Sequence, residues 1–176
     1  MNIIKFYDYF LNEITRLLKK KKKVNIMVTG GSSIKKFYNY FNSKIDKNIL
    51  KRINFFISDE RLFVDDSETN FYFLKKTLFK GFKDKEFYLN NLCEKDKDII
   101  QNLNYLNYVL PKIDFIILSY GLDGHIASLF PKLDPQIKKN RVCFVYNKNN
   151  KYKFRISISL NFLFKIKKRF LFFVGP

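Results

Sequence analysis

The sequence has few of the residues that bind metal ions or form disulfides. It contains two cysteines, Cys93 and Cys143, without a C-x-x-C spacing, and a single histidine, His125. Because a zinc site needs several such ligands close together, the sequence predicts no metal site, and two distant cysteines do not suggest a disulfide framework. We expect both cysteines to be reduced thiols in or near the core.

Long hydrophobic runs are also missing. Although 47% of the residues are hydrophobic, Lys, Asn and Asp interrupt them, and no run approaches the roughly 18 to 20 residues of a membrane helix. The N-terminal residues MNIIKFYDYFLNEI lack a basic start, an unbroken apolar stretch and a small-residue cleavage site. The sequence therefore predicts neither a membrane span nor a signal peptide, and we expect a cytoplasmic protein.

Acidic residues are scarce, with 16 against 34 basic residues and a net charge of +18. Such an excess is typical of proteins that bind nucleic acids. Here lysine supplies most of it, and the chain is also rich in Asn, Ile, Phe and Tyr, whose codons, like those of Lys, are rich in A and T. We therefore favour the base composition of the gene as its cause and expect no nucleic-acid partner, although the positive field attracts anionic substrates.

The apolar residues that are present follow helical and strand patterns in alternation. Residues 3–18 carry apolar side chains at three- and four-residue steps, which predicts an amphipathic helix with the lysine run Lys19–Lys23 as its solvated end. Further helical patterns cover residues 34–41, 70–78 and 99–110, and strand patterns cover residues 24–29, 54–58, 114–119, 141–146, 154–160 and 169–174. The alternation predicts a single α/β domain over residues 1–176, with a Rossmann-like, open, mostly parallel sheet flanked by helices.

In an open α/β sheet, ligands bind beyond the carboxyl ends of the strands, so the residues after each predicted strand form the candidate site. The first strand is followed by Gly30-Gly31-Ser32-Ser33. Paired glycines let a ligand approach the backbone, the serines can cap the next helix, and the N–H groups at a helix N-terminus bind phosphate. The motif matches no dinucleotide or nucleoside triphosphate fingerprint, and a simple tight turn is the alternative.

Two further motifs follow predicted strands. Asp59-Glu60-Arg61 comes after the second strand, where the arginine fork suits phosphate and a surface ion pair is the alternative. After residues 114–119 comes YGLDGHIASLFP, in which His125 follows Asp123 by two residues. A histidine acts as a general base near neutral pH, and a neighbouring carboxylate fixes its tautomer. An isolated histidine is more often structural, but this position favours a catalytic role.

The order of these motifs resembles the 6-phosphogluconolactonase family, which shares its fold with the glucosamine-6-phosphate deaminases. The resemblance runs over nearly the whole chain, in the blocks VTGGSS, FFISDERLFVDDSETNFYFLKKTLF, DFIILSYGLDGHIASLFP and RISISLNFLFKIKKRFLFFVG. The segment D-G-H-x-A-S-L-F-P is the most specific of them. Deaminases typically have a glutamate at the place of Phe130 and a tyrosine at that of Arg61, so both positions favour the lactonase.

The resemblance implies hydrolysis of 6-phospho-D-glucono-1,5-lactone to 6-phosphogluconate in the oxidative pentose phosphate pathway, with no metal or organic cofactor. It implies that His125 is the general base, that Asp123 orients it, and that Asp59 faces the sugar hydroxyls or the attacking water. The residues expected to bind the substrate and its phosphate are Gly30, Gly31, Ser32, Arg61, Gly121 and Arg155. For Arg155, the alternative is one more exposed cation.

The chain departs from the family pattern at its glycine loop, which lacks the usual proline, and at its end. Family members normally continue beyond residues 169–174 with a lysine-bearing segment, a helix and a final strand, whereas this sequence stops at Gly175-Pro176. Two interpretations are left open: the sequence is a fragment of a longer chain, or it is a shortened member of the family. We expect a monomer or a homodimer. The alternative functions are a deaminase-like sugar-phosphate enzyme and a basic, non-catalytic module that binds anions or RNA.

Overall fold

The computed structural model describes residues 3–92, 98–121, 123–131 and 140–173. The helices within these ranges are α1 (Ile3–Leu18), α2 (Lys35–Lys44), α3 (Lys47–Leu50), α4 (Asn70–Lys76), α5 (Ile99–Val109) and α6 (Leu160–Lys165). The strands are β1 (Val24–Val28), β2 (Ile53–Ile57), β3 (Asp59–Arg61), β4 (Tyr88–Asn90), β5 (Phe115–Tyr120), β6 (Val142–Tyr146), β7 (Phe154–Ile158) and β8 (Lys168–Phe173). Short 3₁₀ turns lie at Ser32–Ile34, Asp66–Glu68 and Asp84–Glu86.

Five strands form an all-parallel sheet in the order β4-β2-β1-β5-β8. In its centre, Val24 of β1 lies opposite Ile53 of β2, and Ile26 lies opposite Phe115 of β5. Strands β1 and β2 are buried along most of their length, which is typical of central strands that helices cover. The predicted α/β class with a mostly parallel sheet is therefore confirmed.

Helix α1 packs its apolar stripe against this sheet. Phe10 and Ile14 are fully buried, and the Phe10 ring meets the rings of Phe115 and Phe170 edge to face, at centroid distances of 5.1 and 5.3 Å. The lysine run Lys19–Lys23 follows the end of the helix and is exposed. The prediction that this run is a solvated helix end is confirmed.

The remaining three strands form a separate antiparallel sheet in the order β3-β7-β6. Two of the predicted strand runs, residues 141–146 and 154–160, therefore do not join the parallel sheet. The short connection at residues 147–153 makes these two strands antiparallel neighbours, because parallel neighbours need a crossover of a dozen or more residues. The motif Asp59-Glu60-Arg61, predicted to lie just beyond a strand, is itself strand β3 and pairs with β7.

One residue, Ser58, joins the two sheets. Its N–H donates to the carbonyl of Val28 in the parallel sheet at 2.8 Å, and its carbonyl accepts from the N–H of Ile158 in the antiparallel sheet at 2.8 Å. The chain thus passes from β2 into β3 without a loop. The edge where β1 and β2 end therefore faces the small sheet directly.

Cys143 lies in β6 as a buried free thiol, and burial raises its pKa to about 12. This agrees with the expectation of a reduced core cysteine, whereas Cys93 lies outside the described residues. Among the helices that the structure describes, none is both long enough and apolar enough to cross a membrane.

Candidate functional site

A cleft of about 790 Å³ opens where the carboxyl ends of β1, β2 and β5 meet the antiparallel sheet. Its walls are the loop after β1, the side chains of β3, the turn after β5 and the hairpin between β6 and β7. Of the predicted site residues, those that line the cleft are Gly30, Gly31, Ser32, Asp59, Arg61, Gly121, His125 and Arg155. Asp123 reaches the site through its contact with His125.

The loop after β1 brings bare backbone to the cleft. A Cβ atom on Gly30 would overlap the side-chain amide of Asn70, and Gly31 has a φ of 107°, a region that favours glycine. The prediction that the serines cap the next helix is wrong. A 3₁₀ turn starts at Ser32, the N-cap of α2 is Ile34, and no side-chain cap bond forms at either place. The hydroxyl of Ser32 therefore lines the cleft without capping a helix.

Asp59 is a buried carboxylate at the base of the cleft. Its Oδ1 accepts from the hydroxyls of Ser58 at 3.0 Å and Thr29 at 3.3 Å, and its Oδ2 accepts from the hydroxyl of Ser128 at 2.7 Å. The guanidinium of Arg155 lies 3.9 Å from Oδ2. Both oxygens of Asp59 are therefore held in place, which fits a group that orients its surroundings.

Arg155 is only 6% exposed, so the alternative of an exposed cation is wrong. Its guanidinium donates to the carbonyl of Tyr152, to the hydroxyl of Ser128 and to the side-chain oxygen of Asn150, at 3.1, 3.3 and 2.9 Å. Burial, and secondarily the neighbouring charge of Arg61, lower the pKa of Arg155, while Asp59 acts in the opposite direction. The positive charge at this wall is thus fixed in position.

Arg61 stands directly opposite Arg155 across the strand pair β3–β7. It donates from Nη1 to the carbonyl of Glu68 at 2.6 Å, and its guanidinium carbon lies 4.1 Å from the ring centre of Tyr152. Its Nε is buried and has no hydrogen-bond partner among the parts of the chain that are described. A buried donor without a partner is costly, so this N–H offsets part of the stability that the other contacts of Arg61 provide.

The turn after β5 holds His125 against Asp123. The ring Nδ1 pairs with the carboxylate of Asp123, and the imidazole keeps 29% of its surface exposed. Burial acts to raise the pKa of Asp123, but the hydrogen bond and charge of His125 outweigh it, so the pKa is lowered. A Cβ on Gly121 would overlap both side chains, and Gly121 closes the turn by donating to the carbonyl of His125 at 2.9 Å. This leaves the Nε2 face of the ring for a substrate.

Sequence reasoning missed the role of Glu60, which does not line the cleft. Its side chain accepts hydrogen bonds from the backbone N–H groups of Arg61, Asn70 and Phe71 and so holds the start of α4. Burial raises the pKa of Glu60 to about 7. No sequence signal set Glu60 apart from its neighbours, because Asp59-Glu60-Arg61 was not predicted to be a strand, and alternate residues face opposite sides only in a strand.

The hairpin between β6 and β7 was also missed, although it forms one wall of the cleft. Asn149, Asn150, Lys151 and Tyr152 line the cleft. The signal that could have found them is their position directly before Arg155 in the sequence. Among the described residues, no group of three or more His, Cys, Asp or Glu side chains is placed to hold a metal ion.

Known proteins with similar sequences come from one protein family. Residues 3–176 match the family model for glucosamine-6-phosphate isomerases/6-phosphogluconolactonase. The chain is 31% identical to a 6-phosphogluconolactonase of Borreliella burgdorferi, over 97% of the chain and 74% of that protein. It is 29% identical to a 6-phosphogluconolactonase of Thermotoga maritima, over 79% of the chain and 66% of that protein.

Solved structures share the fold. The crystal structure of the 6-phosphogluconolactonase from Thermotoga maritima matches with a TM-score of 0.76 at 20% identity, covering 97% of this chain and 94% of that one. A monomeric glucosamine-6-phosphate deaminase matches with a TM-score of 0.68 at 17% identity, covering 94% of this chain and 78% of that one. The fold is therefore common to both activities. Since the family model spans nearly the whole sequence, the chain belongs to the glucosamine-6-phosphate isomerase/6-phosphogluconolactonase family.

Proposed function

We propose that the protein is a 6-phosphogluconolactonase, which hydrolyses 6-phospho-D-glucono-1,5-lactone to 6-phosphogluconate in the oxidative pentose phosphate pathway. The observation that carries the proposal is the His125–Asp123 pair at one cleft with the two arginines Arg61 and Arg155. Such a cleft combines a base for water with a binding place for phosphate. The curated relatives named above carry the same activity in their names.

In this mechanism His125 activates the water. Because Nδ1 is engaged by Asp123, Nε2 accepts a proton from water as its oxygen bonds to the lactone carbonyl carbon. Asp123 stabilises the imidazolium that forms. When the tetrahedral intermediate collapses, the bond from that carbon to the ring oxygen breaks, and the imidazolium returns the proton to the departing oxygen. The ring opens to the carboxylic acid, which then ionises in solution.

Asp59 contributes by holding the wall of the cleft rather than by moving a proton. Both of its oxygens accept hydrogen bonds from buried hydroxyls, and Arg155 lies beside it. We propose that it faces the sugar hydroxyls through the part of its side chain that lines the cleft. Its charge also keeps the guanidinium of Arg155 in position.

The phosphate is assigned to the wall formed by the glycine loop and the arginines. Arg61 offers the positive charge of its guanidinium, and Gly30, Gly31 and Ser32 offer backbone and hydroxyl groups from the loop after β1. Arg155 adds positive charge, although three of its nitrogens already donate to the protein. Gly121 serves the substrate indirectly, by leaving space for His125.

Phe130 favours the lactonase over the deaminase activity. Its ring is buried and lies 5.1 Å from the His125 ring, at the place where the deaminase pattern has a glutamate. Without that carboxylate, the only acidic side chain paired with His125 among the residues described is Asp123. We further propose that residues 1–176 act as one cytoplasmic domain, as a monomer or homodimer, with the phosphosugar lactone as substrate and without a nucleic-acid partner.

The test compares the wild type with His125→Ala on freshly generated lactone, at equal enzyme concentration and above the spontaneous rate. We expect the variant to lose about 10²- to 10⁴-fold in kcat, because it lacks the general base. Asp123→Asn is expected to retain intermediate activity. Circular dichroism checks that each variant is folded. A folded wild type with no excess hydrolysis, or turnover of glucosamine 6-phosphate in its place, would overturn the proposal.

A further inference from the structure

The hairpin between β6 and β7 is a well-ordered wall of the cleft. The N–H of Asn147 donates to the carbonyl of Lys153 at 2.9 Å, and the N–H of Asn150 donates to the carbonyl of Asn147 at 3.2 Å. The side-chain oxygen of Asn150 accepts from the N–H of Tyr152 at 3.0 Å and also from Arg155. These bonds fix the backbone position of Tyr152.

Tyr152 contacts three cations at once. Its ring centre lies 4.1 Å from the guanidinium carbon of Arg61 and 5.7 Å from that of Arg155. Its carbonyl accepts from Nε of Arg155 at 3.1 Å. Its hydroxyl accepts from the ammonium of Lys151 at 3.0 Å and donates to Glu68 at 3.0 Å. No predicted site residue has this many contacts with the positive groups of the cleft.

Holding these cations together has an electrostatic cost. Arg61 and Arg155 are directly opposite in the β3–β7 pair, and like charges in that position repel each other. The face of an aromatic ring attracts guanidinium groups, and an aromatic ring keeps them in a defined plane. Glu68 balances part of the charge by accepting from Lys151 at 2.8 Å. The cluster therefore stays positive, and Tyr152 is the residue that contacts Arg61, Arg155 and Lys151 together.

We propose that Tyr152 is a positioning residue, whose ring, carbonyl and hydroxyl hold Arg61, Arg155 and Lys151 as one binding surface for the phosphate of the substrate. The inference rests on the proposed function and adds a residue to it. It assigns Tyr152 to binding and not to ring opening, since Tyr152 contacts all three cations. Lys151 becomes the third cation that faces the phosphate.

The experiment measures KM and kcat for Tyr152→Ala, Tyr152→Phe and, as a matched control, Tyr146→Ala. Tyr146 is an exposed tyrosine of β6 that does not line the cleft. Loss of the stacked ring should raise KM about three- to thirtyfold in Tyr152→Ala. Tyr152→Phe keeps the ring and loses only the hydroxyl, so it should raise KM less. The kcat of all three, and its pH profile, should stay at the wild-type value.

A binding measurement separates this inference from the proposed function. Calorimetry with 6-phosphogluconate should show weaker binding to Tyr152→Ala than to wild type, whereas gluconate, which lacks the phosphate, should bind both alike. If wild type binds 6-phosphogluconate in this Tyr152-dependent way but hydrolyses no lactone, the positioning role stands and the proposed function fails. A fall in kcat at unchanged KM, an equal effect in Tyr146→Ala, or equal binding of 6-phosphogluconate by wild type and Tyr152→Ala overturns the positioning role.

Discussion

The two sheets of this protein differ in the kind of side chain that they bury. The five-stranded parallel sheet is built from apolar runs and packs aromatic rings such as Phe55 and Phe115, both essentially inaccessible to solvent. The three-stranded antiparallel sheet is also buried in part, yet it places Asp59, Glu60 and Arg155 inside the protein. Each of these charged groups has hydrogen-bond partners. The comparison teaches that the apolar core of the large sheet supplies stability, whereas the chemistry comes from the loops at its carboxyl edge together with the charged side chains of the small sheet.

This division predicts that a substitution in the core of the large sheet changes stability without changing activity. A substitution in the small sheet should change both. A cavity in an apolar core weakens folding but leaves distant polar geometry unchanged as long as the chain is folded. Removal of one member of a buried polar network costs stability and disturbs the partners that remain.

The largest change in stability is expected for Phe10→Ala, on the face of α1 that packs against the large sheet. Phe10 is 1% exposed and contacts the rings of Phe37, Phe41, Phe115 and Phe170. Its truncation should lower the free energy of unfolding by about 3 to 5 kcal/mol. Urea denaturation measures this loss, and KM and kcat per folded molecule should be those of wild type.

The matched control is Phe164→Ala in α6, where the ring is 66% exposed and the cost should be below about 0.5 kcal/mol. A Phe10→Ala enzyme that is folded but has an altered kcat would show that the two sheets are coupled.

A smaller loss of stability, combined with a loss of activity, is expected for Asp59→Asn in the small sheet. The substitution keeps the shape but leaves the buried Arg155 without its counter-charge and one hydroxyl without its acceptor. The free energy of unfolding should fall by about 1 to 3 kcal/mol. Both kcat and KM should worsen, as measured on the lactone. Asp65→Asn, an exposed carboxylate before the 3₁₀ turn at Asp66–Glu68, is the control and should change neither.

The last prediction concerns the pH dependence of stability, which differs between one carboxylate in each region. Glu13 of α1 is paired with Arg16 and Lys168, and these hydrogen bonds lower its pKa to about 2. Because its pKa is lower in the folded state, it stabilises the protein above its ordinary pKa, and this contribution is lost as the pH falls towards 2. Burial raises the pKa of Glu60 to about 7, so its contribution is lost as the pH rises through 7.

Thermal unfolding from pH 3 to pH 8 measures two losses of stability: an acid limb due to Glu13 and a neutral limb due to Glu60. Each group changes stability by at most about 1.4 kcal/mol per pH unit. Glu13→Gln should flatten the acid limb alone, and Glu60→Gln should flatten the neutral limb alone while lowering stability, because an amide cannot accept all three backbone N–H groups. If Glu60→Gln left the neutral limb unchanged, another group would be responsible for it.

The large sheet could be predicted from the sequence because each of its central strands is a short apolar run between turn signals. The N-terminal helix was predicted with its bounds, since its apolar spacing continues without a break from residue 3 to residue 18. The candidate site followed from the same strands, because Gly30 and Asp59 come directly after two of them and His125 lies in the turn after a third. Their roles remain proposals that the His125 experiment tests first.

The small sheet could not be predicted in the same way. Strand β3 consists of Asp59, Glu60 and Arg61, which have no strand pattern, and it forms because β7 offers it a backbone edge. The contacts of Tyr152 with Arg61 and Glu68 join residues that are far apart in the sequence. Only the pairing of β3 with β7 brings them together, and no local pattern encodes that pairing.

Ser58 fixes the spacing between the large sheet and strand β3. Because a single residue separates β2 from β3, the register of the large sheet decides which face each residue of the small sheet presents. Side chains alternate along a strand, so inserting one residue at Ser58 would turn Asp59 away from the cleft and bring Glu60 towards it. Glu60, which holds the start of α4, would then take the place of Asp59, which lies beside Arg155. The spacing between the two sheets is therefore as much a part of the site as its side chains.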